Sequence, residues 1–178
     1  MAKAPKGKGK GKSARKQGAS GQAKAKARKP RQDTISQKPT LQVFVICERS
    51  DQSQDGVHTL YRVVDRFNLR IEINAPEGAD LPPIRVPISY VLFTRFGAGT
   101  GHFRTHAELF DPDEKSLAKT DENLFWLTGR ETSHTLIGSI SLPVEKGGPH
   151  RWVCYLDGEQ VGEFIFTVNI EHRFVRTG

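Results

Sequence analysis

A chain of 178 residues suits one domain with an appendage better than two domains, because domains commonly run to about 100 to 150 residues. Its net charge of +7 is unevenly divided: residues 1 to 38 carry 13 Lys or Arg against the single acid Asp33, a charge of +12, which leaves −5 for residues 39 to 178. Two cysteines are too few for a disulfide scaffold, and no run approaches the ~20 apolar residues of a membrane span or the apolar core of a secretory signal. A disulfide-stapled fold and a helical membrane protein are therefore not expected, and a cytoplasmic protein is.

Residues 1 to 38 open KAPKGKGKGKSARK and continue in Ala, Gly, Gln, Lys and Arg, with no aromatic residue and only Met1 and Ile35 as large apolar ones. Such a segment buries too little surface to offset the entropy of ordering it, so a disordered arm is expected. An organellar transit peptide is the competing reading, but the interspersed glycines and the lack of Leu or Phe remove any amphipathic helix. Lys6, Lys8, Lys10, Lys12, Arg15, Lys16, Lys24, Lys26, Arg28, Lys29 and Arg31 are the candidate binding residues. Cations spaced by small residues neutralise successive phosphates and release counterions, which gives nonspecific, salt-sensitive contact with nucleic acid, or with an acidic protein surface.

From Leu41 the pattern changes. LQVFVICE is apolar on both faces and predicts a central strand. The polar SDQSQDG, ending in Asp55-Gly56, predicts a turn. TLYRVVDRFNLRIEI predicts further strand broken near Asp65, and NAPEGADLPPIRVP a surface connection, since its prolines exclude a central strand. ISYVLFTRF is the next strand, with GAGTG read as a hairpin loop that ends it. HFRTHAELFD alternates Phe103, Thr105, Ala107 and Leu109 against His102, Arg104, His106 and Glu108. DPDEK suits a type I turn. The stretch from Asn123 to Leu127 gives a weaker pattern, SHTLIGSISLPV from Ser133 gives another strand, and KGGP closes it.

The last predicted unit is RWVCYLDGEQVGEFIFTVNI, two apolar runs joined through Asp157-Gly158, the dipeptide of a tight hairpin. Its aromatic and branched surface must be covered by another layer. Seven or eight strands without an amphipathic helix predict an all-β antiparallel β-sandwich of Ig-like size over residues 39 to 178. A small closed barrel is the alternative.

Candidate chemistry is sparse. Cys47 and Cys154 lie in apolar runs and are expected as buried free thiols. His102 and His106 share a strand face, but their Cα atoms stand about 13 Å apart, too far to chelate one ion. Asp111, Asp113 and Glu114 lack the spacing and glycine of a calcium loop. GAGTGH is not a phosphate loop, because the Lys-Ser/Thr pair is missing. Trp126 and Trp152 could form a ligand platform, but a core or sheet-face role is the default for aromatics. No catalytic residue, metal or cofactor is assigned.

Three stretches, LQVFVICERSDQSQDGVHTLYRVVDRFNLRI, VPISYVLFTRFGAGTGHFRTHAELFDPDEKSLA and GSISLPVEKGGPHRWVCYLDGEQVGEFIFTV, resemble a family of small, uncharacterised bacterial β-sandwich domains known only as a domain of unknown function. The resemblance spans about residues 41 to 170 and excludes the basic arm. It implies the fold and no activity. The resulting expectation is a noncatalytic interaction module whose arm contacts nucleic acid or another polyanion while the sandwich docks a protein partner. Alternatives are a structural domain with the arm as tether, and an enzyme whose site does not show in sequence.

Overall fold

The computed structural model describes residues 36–74 and 85–175. The candidate residues Lys6 to Arg31 and most of the Pro-rich connection lie outside the described residues. Eight strands form: β1 (Thr40–Gln52), β2 (His58–Val63), β3 (Arg66–Ile73), β4 (Val86–Phe110), β5 (Ser116–Lys119), β6 (Asn123–Val144), β7 (Gly148–Leu156) and β8 (Glu159–Phe174). No helix occurs among the described residues, which form an all-β fold.

The strands belong to one mixed sheet of order β2-β1-β4-β7-β8-β3, with β5 and β6 also paired to β4, and that sheet curls into a half-barrel. The expectation of a wholly antiparallel arrangement is corrected at one edge: β3 runs parallel to β8, from Arg66 opposite Thr167 to Ile73 opposite Phe174. Side-chain alternation is the same in parallel and antiparallel strands, so periodicity does not report direction.

The curl originates in β4. GAGTG, expected as a loop, lies inside this strand of 25 residues. Ala98 takes φ 57° and the register against β6 shifts between Gly97 and Gly99. From that pair of partners to the next β4 advances two residues while β6 advances four, Ser133 to Gly129, so the extra residues lie on β6, and the paired strands bend there without ending the ladder, as at a β-bulge. The glycine also makes room for the incoming chain, since a Cβ on Gly99 would lie 2.7 Å from Cβ of Pro39. Before the bend β4 pairs with β1 on one side and the second half of β6 on the other. After it, β7 replaces β1, while the first half of β6 and then β5 hold the opposite edge.

The two halves of β4 thereby share one core. Tyr90, Leu92 and Phe96 come from the first half, Phe103 and Leu109 from the second, joined by Trp152, Leu156, Phe166 and Val168 of β7 and β8. Phe96 stacks on Phe125 at 5.2 Å, and Phe125 meets Phe103 at 5.6 Å, filling the inside of the bend. Trp152 is fully buried, and its indole N–H donates to the hydroxyl of Tyr90 at 2.9 Å. Phe67 of β3 closes over this pair, 5.7 Å from Tyr90 and 5.6 Å from Phe166. Each such ring contributes on the order of 1.5–3 kcal/mol by leaving water.

Two turns follow their sequence signals. Asp157 and Gly158 both have positive φ, 49° and 83°, the geometry of a two-residue hairpin turn. In the β4–β5 turn the Asp111 carboxylate accepts the backbone N–H groups of Asp113 and Lys115, each at 2.9 Å, and those bonds hold it below the usual carboxylate range. Gln37 exchanges backbone hydrogen bonds of 2.8 and 2.9 Å with Thr100, and Lys38 pairs with Glu159.

Tyr90→Phe leaves the Trp152 N–H buried without an acceptor, which costs about 1–3 kcal/mol. Urea denaturation should show the midpoint falling with the slope unchanged. Tyr61→Phe, at a ring 40% exposed, should stay within about 0.5 kcal/mol of wild type.

Burial also gives the fold an acid limit. His134 stacks on Phe125 at 4.7 Å and His150 on Phe166 at 5.4 Å, and burial lowers the pKa of both. Histidine in the unfolded chain titrates near pH 6.5. As pH falls below about that value the unfolded state takes up protons that the folded state resists, so stability present above it is lost toward acid. Unfolding midpoints measured from pH 7.5 to pH 5 should fall for the wild type, and more shallowly for His134→Gln.

Candidate functional site

The second half of β4 alternates strictly. Phe103, Thr105, Ala107 and Leu109 are buried, while His102 and Arg104 on the opposite face are exposed and His106 is half-buried. In β6 the buried set is Phe125 and Leu127, which leaves Leu124 and Trp126 on the outer face at 69% and 67% exposure. The register sets Trp126 opposite His102 and Leu124 opposite Arg104. Such cross-strand neighbours have Cβ atoms about 4.5–5.5 Å apart.

One further step along β4, His106 is paired with Tyr155 of β7. Their rings stack at 4.9 Å and 13°. Burial, then Lys119, lowers the His106 pKa against the opposing pull of Glu108 and Glu122, so this imidazole is neutral near pH 7 and serves as a ring surface. The face therefore carries three ranks, Trp126/His102, Leu124/Arg104 and Tyr155/His106, spaced by about 6.6 Å along the strand.

Arg104 sits in the middle rank with its backbone clamped. Its N–H donates to the Asp157 carboxylate at 2.8 Å and its carbonyl accepts the Asp157 N–H at 2.8 Å. The hairpin turn at Asp157-Gly158 is thus tied to the strand that carries the guanidinium. The side chain itself is 64% exposed, and among the described residues its one ion pair is with Glu122, at 3.8 Å. Such a loose surface pair is worth little and leaves the guanidinium available.

For Trp126 and Trp152 alike a core or sheet-face role was the default. Trp152 takes the core role, whereas Trp126 stands in solvent. In LFWLT both alternating sets, Leu124/Trp126 and Phe125/Leu127, are apolar, so periodicity cannot say which set faces water. The weaker pattern around Asn123 to Leu127 is the signal that could have singled it out.

The other candidates are used within the fold. Asp111 accepts hydrogen bonds from its own turn, Asp113 pairs with Lys146, and Glu114 pairs with Arg151. His102 and His106 share a face as expected, and among the described residues no three His, Cys, Asp or Glu side chains converge as metal ligands. Cys47 and Cys154 are both buried and free. Burial pushes the Cys154 thiol up to about 11, against a pull downward from the Thr105 hydroxyl, so it carries no thiolate at neutral pH. No helix among the described residues is long and apolar enough to cross a membrane.

No family model and no curated protein matches this chain. A solved structure, Pseudomonas fluorescens alkylpurine DNA glycosylase AlkC bound to DNA containing an abasic site analog, is similar at a TM-score of 0.40 and 9% identity. The likeness covers 75% of this chain, which spans 31% of the length of that one. The expectation of a noncatalytic module whose folded part docks a protein finds no support in this comparison. At that level of similarity no activity transfers, and the functional reading has to come from this chain's own surface.

Proposed function

We propose that the outer face built from β4, β6 and β7 binds single-stranded nucleic acid, with Trp126 as the principal stacking surface. The observation that supports it is the exposure of the Trp126 ring, 67%, beside His102 and Arg104 in a fixed register. A tryptophan buries on the order of 150–250 Å² when covered, and a nucleobase offers a flat partner that any sequence can supply. The Tyr155/His106 stack gives a second ring two ranks away, and Arg104 between them meets the backbone phosphate. Sequence-tolerant recognition by rings on a sheet with interleaved cations is a recurrent route to single strands.

Charge sets the strength of this contact. Residues 39 to 178 carry −5, so the face relies on stacking and on local cations, and the +12 of residues 1 to 38 supplies long-range attraction. The two-faced curl remains, on this reading, an Ig-sized sandwich in the manner of the uncharacterised family that the sequence resembles.

Trp126→Ala in the full-length chain should weaken binding of a fluorescent single-stranded oligonucleotide by about 5- to 150-fold, from the loss of about 1–3 kcal/mol of stacking, equally at low and high salt. Arg104→Ala should lower the salt slope by about one. Quenching of the intrinsic fluorescence should disappear in Trp126→Ala, because the remaining Trp152 is buried. Equal affinity of Trp126→Ala and wild type would remove the face from the interaction.

A further inference from the structure

Along the second half of β6, His134, Leu136, Ile140 and Leu142 alternate onto the inner side of the curl. Gly138 holds the middle place in that alternation, opposite Leu92 of β4, and has no side chain to fill it. A Cβ built there would find nothing nearer than Cδ1 of Ile140, at 4.0 Å. On the facing half of β4 and on β7 the side chains are small as well, Ala107 standing opposite Cys154. A cavity of about 130 Å³ results, walled by Leu92, Leu136, Ala107 and Cys154 and reaching solvent at the exposed Asn123.

Thr94 gives this space a chemistry. It lines the cavity and is 6% exposed, and its hydroxyl makes no side-chain hydrogen bond among the described residues. That oxygen is also within a ligand's reach, unlike Ser50 Oγ and His150 Nε2, which are sealed in. Thr105, across the gap, is already satisfied: its hydroxyl donates to the Tyr155 carbonyl at 2.7 Å. Thr120 accepts the backbone N–H of Ala107 at 2.9 Å. A confined water needs about two to four polar partners, and Thr94 set among Leu92, Leu136 and Ala107 offers one. No Lys, Arg, Asp or Glu lines the cavity, and its imidazole, His106, is neutral near pH 7. An ion entering it would lose hydration with no opposite charge in return.

We propose that this cavity binds a small uncharged molecule, about the size of benzene and apolar over most of its surface, that makes one hydrogen bond with the Thr94 hydroxyl. Volume sets the size, since an apolar protein cavity of about 150 Å³ takes up benzene. A threonine hydroxyl both donates and accepts, so the ligand's one polar group is a hydroxyl or a carbonyl. The site recognises by confinement and neutrality, whereas the Trp126 face recognises by stacking and charge.

Phenol, benzene and benzoate, titrated at pH 7 into the full-length chain with ¹³C-labelled methyl groups, test the site by NMR. At that pH phenol is uncharged and benzoate is ionised, as the corresponding side chains are. Phenol and benzene should both shift the methyl resonances of Leu92 and Leu136. Phenol should bind about 2- to 12-fold more tightly than benzene, the factor one neutral hydrogen bond gives, and benzoate at least tenfold more weakly than phenol. Thr94→Val, which keeps the shape of the side chain, should remove the advantage of phenol and leave benzene binding unchanged. Gly138→Val should fill the gap and abolish binding of both, with the thermal midpoint held or raised, because a β-branched residue suits a strand. Should Gly138→Val unfold, the comparison of phenol with benzene in wild type and Thr94→Val decides alone. Failure of phenol and benzene to bind, an undiminished phenol advantage in Thr94→Val, wild-type affinity in a folded Gly138→Val, or benzoate bound as tightly as phenol would each overturn the proposal.

Discussion

The fold depends on one strand doing two jobs. β4 crosses from one half of the curled sheet to the other without interruption, bent at Ala98, where its partner β6 bulges. A bend in a paired strand is stable only if the surfaces brought together on its inside bury enough area to offset the distorted ladder. Here they do so around Trp152, whose hydrogen bond to Tyr90 joins β7 to the first half of β4. Without the bulge the two apolar faces would belong to a flatter sheet and would be open to water. Without Trp152 in the gap the bend would close on empty space.

That geometry also decides what remains outside. Bending β4 and β6 together turns one side of the ribbon inward along its whole length, so the inner sets Phe96/His134 and Phe103/Phe125 meet across the corner. The outer sets are driven apart onto a convex surface. Trp126 and Leu124 fall on that surface because the β6 register is locked to His102 and Arg104, and a shift of one residue would exchange them with Phe125 and Leu127. The exposed tryptophan is a consequence of a register that the aromatic core holds in place.

Much of this was legible in the residues. The Asp157-Gly158 hairpin, the all-β class, the break near Asp65 and the alternation of His102 to Leu109 rest on local chemistry that no distant contact overrides. The bend at GAGTG was not legible, because a glycine run supplies the same conformational freedom to a loop and to a bulge. Only the partner strand decides between them, and β6 continues past the bend. The parallel β3–β8 pair was hidden for a similar reason. Strand direction is a property of the connection, and alternation is blind to it. Whether Trp126 would be core or sheet face was not legible, because both faces of LFWLT are apolar and the local pattern had no sign. His150 gave no signal at all: its place in the core shows only once Phe166 stacks on its ring and the Gly148 carbonyl occupies Nδ1.

The same bend sorts the rings of the sheet into two kinds. On the convex side Trp126 stands in solvent beside Arg104, whose guanidinium is only loosely paired with Glu122, a surface whose shape and flatness are open to a partner. On the concave side His150 is fixed in tautomer by the Gly148 carbonyl and stacked on Phe166, so its ring is spent on the core. Exposure and confinement of aromatic surface thus follow from one register along β4 and β6.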